Sequence, residues 1–403
     1  MRNVKSVLGA MLWGWVVATM CVPAMAGAPE YTVTVETPLN AVEGKYWMQV
    51  RGGAIPQPGD TPSLAVVIMQ LTDSVGTHMY HGLTSFRTFD LGKTWSAPVA
   101  HETLERIHHD NGLIEVPVDA TLTYHPNSGK LLMTGATFWL DPKLKKDVPK
   151  GPSDTAYAVY DPEQDTWTRW AKLKMPEGPK FRYARAGSTQ PVVEPNGDIL
   201  LPIYFGEHNN SIHYFTVVRC RFEGDTLIYV EHGDELKVDF GRGFSEPSMV
   251  HYKGRYYMTL RNDKRGYVTV SDDGLHFPVP AAWEFTDGEP LGNYNTQQHW
   301  VAHSEGLFLA YNRRGLDNDD VFRHRAPLVM AVVDTETLKV DRKTEQVLLP
   351  KVGKSTFGNF GVAHVSANET WVTAGRGGAK AGEPSVYVAR IHWAKPNARM
   401  VAE

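Results

Sequence analysis

Glu246-Pro-Ser-Met-Val-His-Tyr-Lys-Gly-Arg-Tyr-Tyr-Met-Thr-Leu-Arg261 is the stretch that decides the fold. Two short runs rich in Tyr, Val, Met and Thr flank Lys253-Gly254, and the glycine supplies the turn, so the segment reads as a β-hairpin. Strand, turn and strand recur at residues 54–70, 119–135, 190–204, 298–313 and, more faintly, 361–373. Six such units, roughly 50 to 70 residues apart, fall in the range of propeller blades. Helical periodicity is almost absent. One four-stranded blade cannot cover both its faces, whereas blades packed radially bury them and leave only short edges. The sequence therefore predicts an all-β, six-bladed propeller, with a two-sheet sandwich as the less regular alternative. Tyr31-Thr-Val-Thr-Val-Glu-Thr37 is expected to complete the last blade beside Val386-Tyr-Val-Ala-Arg-Ile-His-Trp393 and so close the ring.

The N-terminus has a different character. Arg2 and Lys5 precede an apolar run over residues 7–22, and Ala24-Met25-Ala26 gives a small-x-small cleavage pattern. This reads as a signal peptide over residues 1–26, followed by a single domain over 27–403 and a secreted or periplasmic location. The run is shorter than a spanning helix needs, so no membrane insertion is expected once the signal is removed. Cys220 is then the sole cysteine, in the alternating run Phe215-Thr-Val-Val-Arg-Cys-Arg-Phe222, and reads as a small buried hydrophobe. Lys and Arg total 41 against 45 Asp and Glu, and the basic residues are dispersed, which argues against a nucleic-acid partner. The Pro/Lys-rich stretch 141–152 reads as a polar loop within the domain. No metal or cofactor motif is present, and the chain is expected to be a monomer.

Thr88-Phe-Asp-Leu-Gly-Lys-Thr-Trp95, and more briefly Ser271-Asp-Asp-Gly-Leu-His-Phe277, resemble the Asp-box turns of sialidases and related propellers. In such turns the Asp accepts bonds from turn N–H groups, the Gly takes positive φ and the aromatic plugs into the blade; the role is structural. The resemblance implies an exo-acting glycosidase whose arginine triad grips a sugar carboxylate. Arg51, before Gly52-Gly-Ala-Ile-Pro56, is similar to the family's Arg-Ile-Pro motif. Glu246 and Arg261, at the two ends of their hairpin, resemble the family's activating glutamate and second arginine, and Arg313 closes the next hairpin where the third would stand. Asp73 matches the family's acid/base aspartate, with His78 and His81 nearby as alternative proton carriers.

Hairpin geometry supports convergence. The start of a first strand and the end of a second share one edge of a blade. Arg51, Gln190, Glu246 and His299 at starts, and Arg261 and Arg313 at ends, should thus meet at one mouth, where the resemblance implies that an oligosaccharide or polysaccharide binds. The pattern breaks at the nucleophile. Sialidases use a tyrosine there, but the last blade begins Gly358-Asn-Phe-Gly361, leaving Tyr294 or Tyr311 as substitutes. Two other readings stay open: a polysaccharide lyase using His78, His81, His299, Tyr294 and Arg261 on a uronide, and a glycan-binding propeller without turnover.

Overall fold

The computed structural model describes residues 20–21, 29–57, 61–72, 79–148, 151–208 and 211–400. The strands of the described residues form six sheets. Each is built on one of the six hairpins read from the sequence. The inner pairs are Tyr46–Ile55 with Leu64–Thr72, Ile114–His125 with Lys130–Asp141, and Ser245–Tyr252 with Arg255–Arg261. His299–His303 with Gly306–Tyr311, and Phe360–Ser366 with Glu369–Gly375, form two more. In the third sheet the first strand is split: Tyr183–Arg185 and Val192–Val193 both pair with Ile199–Gly206.

Apolar clusters show how the sheets are arranged. Ile68 and Leu83 of the first sheet pack on Leu122 and Met133 of the second. Leu132 and Val159 of the second meet Ile203 and Cys220 of the third. The succession continues through Phe215 with Met258, Tyr257 with Trp300, and Phe308 with Phe360. It returns to the start where Trp371 of the sixth sheet packs with Ala65 of the first. Each sheet thus touches two neighbours and the ring closes on itself. Cys220 is fully buried, as the alternating run predicts.

Hydrogen bonds between the two ends of the chain also close the ring. Tyr31–Asn40, from the start of the described domain, pairs antiparallel with Pro384–Trp393 near its end. Opening the last blade would have to break this ladder. The expected signal segment lies outside the described residues except for the backbone of Met20–Cys21, which pairs with Thr32 and Val33. Asp90 behaves as a turn former: its carboxylate accepts from the Thr94 backbone N–H at 2.9 Å, Gly92 sits at φ 82°, and Trp95 packs on Trp371. Asp273 repeats this by accepting from the backbone N–H groups of Leu275 and His276.

The inner strands share an irregularity. Gln49, Asp119, Ser188, Glu246 and Asn295 all have positive φ, between 46° and 58°, in or just before five of the six first strands. At Gln49, Asp119 and Glu246 the register shifts, which marks β-bulges. Non-glycine residues in this region cost about 1 to 3 kcal/mol each and persist where the surroundings hold them. The bulges re-aim the side chains that follow.

Arg51, two residues beyond the first bulge, shows the result. It is fully buried. Its guanidinium donates to the Phe360 and Ala120 carbonyls at 3.2 Å each, to Ser188 Oγ at 2.7 Å and to Gln297 Oε1 at 3.0 Å. Those partners lie in or beside four other sheets, so one side chain ties five sheets together at the axis. Gly361 is glycine for a local reason: a Cβ there would come within 2.7 Å of Arg51 Cγ. Replacing Arg51 by Leu should leave several buried acceptors unpaired and destabilise the fold by about 3 kcal/mol or more. Urea unfolding would measure this, and a loss below about 1 kcal/mol would show that the axial bonds contribute little.

Candidate active site

A cavity of roughly 260 Å³ opens at one end of the ring. All six sheets, or the loops joining them, contribute to its wall, from Gln49 and Asp119 through Arg185, Glu246 and Arg325 to Asn359. The edge rule behind the sequence reading accounts for this: strand starts and second-strand ends meet here.

Glu246 and Arg261 are brought together as expected. They form a direct ion pair between the two strands of one hairpin, with both side chains nearly nine-tenths buried. Burial pushes the Glu246 carboxyl upward. The Arg261 guanidinium, helped by Arg325 and Arg51, outweighs that and holds it below the usual carboxylate range. Glu246 is therefore an anion across ordinary pH.

Asn295 organises two arginines. Its side-chain oxygen accepts from Arg261 Nη2 at 2.6 Å and its backbone carbonyl from Arg325 Nη2 at 2.7 Å. Two guanidiniums are thereby fixed beside one another, and the Nε of each is buried without a partner. Burial and the repulsion of Arg261 pull Arg325 down to about 9, despite the attraction of Glu246. A carboxylate or other oxyanion placed between them would remove that repulsion and satisfy the free donors.

A further part of the wall comes from the third sheet. Arg185 is 4 % exposed. It donates to Tyr183 Oη at 2.6 Å and to Asp119 at 3.2 Å, and lies 4.5 Å from the Phe138 ring centroid. Tyr80 and Tyr204 also face the cavity, and burial raises both hydroxyls well above their ordinary pKa. His213 stacks on Tyr183 with centroids 5.1 Å apart. Its Nε2 meets the His208 carbonyl at 3.0 Å, which fixes the proton on Nε2 and leaves a lone pair on Nδ1. Burial holds His213 neutral, lowering its pKa to about 4.

Several expected site residues stand elsewhere. Arg51 is the axial strut, spent on four partners behind the cavity wall. Gln190 spans to the Trp300 backbone, accepting at 2.7 Å and donating at 3.1 Å. His299 is buried against Phe360 and bonded to Ser248 Oγ at 2.8 Å. Arg51 lies past a bulge, and Gln190 and His299 follow the positive-φ residues Ser188 and Asn295; all three side chains are taken up by partners inside the ring. Arg313 forms a bidentate pair with Glu345 at 2.7 Å, and Tyr311 donates to the same carboxylate at 2.6 Å. Tyr294 bonds His324 at 2.7 Å under the Arg314 guanidinium. His81 is half-buried outside the wall. Asp73 and His78 lie outside the described residues.

Sequence reading missed Arg185, Arg242, Tyr183, Tyr204 and His213, and left open whether the 322–327 segment, with Arg323 and Arg325, lines the funnel or covers a blade edge. Tyr204 stands at the end of a second strand, so the edge rule itself points to it. Arg185 was hidden because its strand breaks off there, five residues before Gln190, the apparent start of the hairpin. Arg323 and Arg325 come from a loop, where no periodicity signals a direction.

Fold and cavity together define a sialidase-like β-propeller. The comparison with solved structures agrees. A Dyadobacter fermentans protein of unknown function superposes with a TM-score of 0.62 at 15 % identity, over 89 % of this chain and 99 % of that one. Trypanosoma rangeli sialidase gives 0.58 at 12 % identity over 94 % of this chain, which spans 58 % of the trypanosomal protein. A Hadza microbial sialidase gives 0.59 at 10 % identity over 88 % of this chain and 66 % of that one. No family model matches the sequence, and no curated protein does.

The neutral state of His213 has a consequence for stability. Its folded pKa lies below the unfolded value of about 6.5, so between about pH 6.5 and 4 the unfolded chain binds the extra proton. Stability must fall as pH drops through that window. Between pH 7 and 5, His213→Gln is expected to lose about 2 kcal/mol less than the unaltered protein. Denaturant unfolding at both pH values would check this, and identical losses would contradict it.

Proposed function

We propose that the chain is an exported, exo-acting glycoside hydrolase that releases a terminal acidic sugar, a sialic or uronic acid. The observation that carries this reading is the pair of guanidiniums, Arg261 and Arg325, tied to Asn295 beside an ionised glutamate. The arginines hold the sugar carboxylate. Glu246 lies next to that clamp, where its negative charge favours an oxocarbenium-like transition state. The proton for the leaving oxygen is assigned on sequence grounds to Asp73. Asn359 and the buried Phe360 occupy the start of the last blade. The attacking group is then water or a tyrosine of the cavity wall such as Tyr204. Export rests on the N-terminal residues, and the single domain over 27–403 on the absence of any linker in the sequence.

One observation favours a second reading. His213 presents a neutral imidazole beside Tyr183 in the same cavity wall as the carboxylate clamp. That combination suits a lyase, in which arginines neutralise the uronate carboxylate and a base removes the adjacent C5 proton. The two readings differ in product: hydrolysis gives a saturated sugar, elimination an unsaturated uronide that absorbs in the ultraviolet.

The deciding experiment screens the mature protein against sialylated and uronate-containing oligosaccharides, following released sugar and ultraviolet absorbance together. Release of a saturated acidic monosaccharide is expected. Glu246→Gln should lower kcat at least about 100-fold, and Arg325→Ala should raise KM for acidic substrates about tenfold or more. Absorbing products lost in His213→Ala would transfer the assignment to the lyase. Binding without turnover, unaffected by Glu246→Gln, would leave a glycan-binding propeller.

A further inference from the structure

Arg323 lines the cavity, half-buried, with no hydrogen bond or ion pair to an acid among the described residues. Its one recorded contact is with the ring of Phe322, 4.8 Å from the centroid. Burial lowers its pKa, and so do the neighbouring Arg261 and Arg242; Asp263 and Glu246 offset this only in part. The two nearby acids are already engaged. Glu246 is paired with Arg261, and Asp263 accepts from Arg242 Nε and Nη2 at 2.8 to 3.2 Å. A third guanidinium has thus been placed among two others with no counter-charge of its own.

The backbone is bent to put it there. Arg323 and His324 have φ of 55° and 52°, two successive left-handed non-glycine residues. Asn318 holds the loop: it is 1 % exposed, and its Nδ2 donates to the carbonyls of Arg313, His324 and Ala326 at 2.7 to 3.3 Å. His324 turns away from the cavity and is fixed between Tyr294 Oη at 2.7 Å and Asp319 at 3.2 Å. The segment therefore points Arg323 and Arg325 inward and anchors the residue between them outward. Strain and burial are both spent on an unneutralised charge, which is stable only as a place for an anion.

We infer that Arg323, with Arg242, forms a second anion subsite adjoining the carboxylate clamp, so that the substrate carries two acidic groups, a carboxylate and a neighbouring sulfate ester or second carboxylate. This rests on the acidic-sugar reading above and narrows it. Arg261 and Arg325 already suffice for one planar carboxylate held by two forks. Arg323, the guanidinium left without an acid, answers to a further oxyanion on the same sugar or on the one next to it, with Arg242, held by Asp263, beside it.

The test measures binding by calorimetry to two uronic-acid disaccharides that differ only by one O-sulfate, and to a diuronic acid disaccharide, at low and moderate salt. The protein is compared with Arg323→Asn, because asparagine tolerates the left-handed backbone at this position. The unaltered protein is expected to bind one of the doubly acidic ligands about tenfold tighter than the singly acidic one, with a steeper loss of affinity in salt. Whichever of the two shows the gain identifies the second group. In Arg323→Asn that gain should disappear. Equal affinity for singly and doubly acidic ligands would overturn the second subsite while leaving the carboxylate clamp in place. A loss in Arg323→Asn shared equally by all ligands would also overturn it, making Arg323 part of the clamp itself. Absence of binding to every acidic ligand would overturn the acidic-sugar reading and this inference together.

Discussion

A guanidinium on the axis of the ring is the interaction on which the rest of the molecule depends. Arg51 joins the first sheet to backbone carbonyls and side chains in or beside four others. Radial packing alone fixes how far neighbouring sheets lie apart, but apolar contact is not directional. Hydrogen bonds at the centre fix the rotation and height of each inner strand relative to the others. The cavity wall is made from those same inner strands, so its geometry inherits whatever precision the axis provides.

The bulges connect this scaffold to the chemistry. In a regular strand, successive side chains alternate between faces. One extra residue in left-handed conformation breaks that alternation and divides three of the six first strands into two parts. Before or at the bulge, Gln49, Asp119 and Glu246 meet the cavity. After it, Arg51, Gln190, Ser248 and Gln297 turn into the core, where hydrogen bonds satisfy their polar ends. The same backbone feature thus supplies the site with polar groups and the axis with its polar lock.

The site is electrostatically unbalanced by design of the fold. Arg185, Arg242, Arg261, Arg323 and Arg325 line it, against Asp119, Asp147 and Glu246. Arginine stays charged even where burial and mutual repulsion depress its pKa, as they do at Arg325. Bringing these groups together is unfavourable in the empty protein, and the hydrophobic seams between sheets must offset it. An anionic ligand would recover that energy on binding, which is the physical basis for the proposed preference for acidic over neutral sugars.

Sequence by itself determined the architecture. Hairpin repeats are local, each legible from strand propensity and a turn glycine, and their number and spacing leave few ways to bury both faces of every sheet. Ring closure through residues 31–37 was legible for the same reason, since a strand without a partner in its own neighbourhood must find one at the far end. The pairing of Glu246 with Arg261 was also legible, because both belong to one hairpin and its register brings its ends together. Tertiary structure alone decided the rest of the site. A left-handed backbone turn has no sequence signature in residues such as Gln49, Asp119 or Ser188, yet such turns precede Arg51, Gln190 and His299, which face the interior instead of the mouth. Arg185 and Arg323 belong to a broken strand and a loop, whose side-chain directions are set by packing against other sheets and not by any period in the chain.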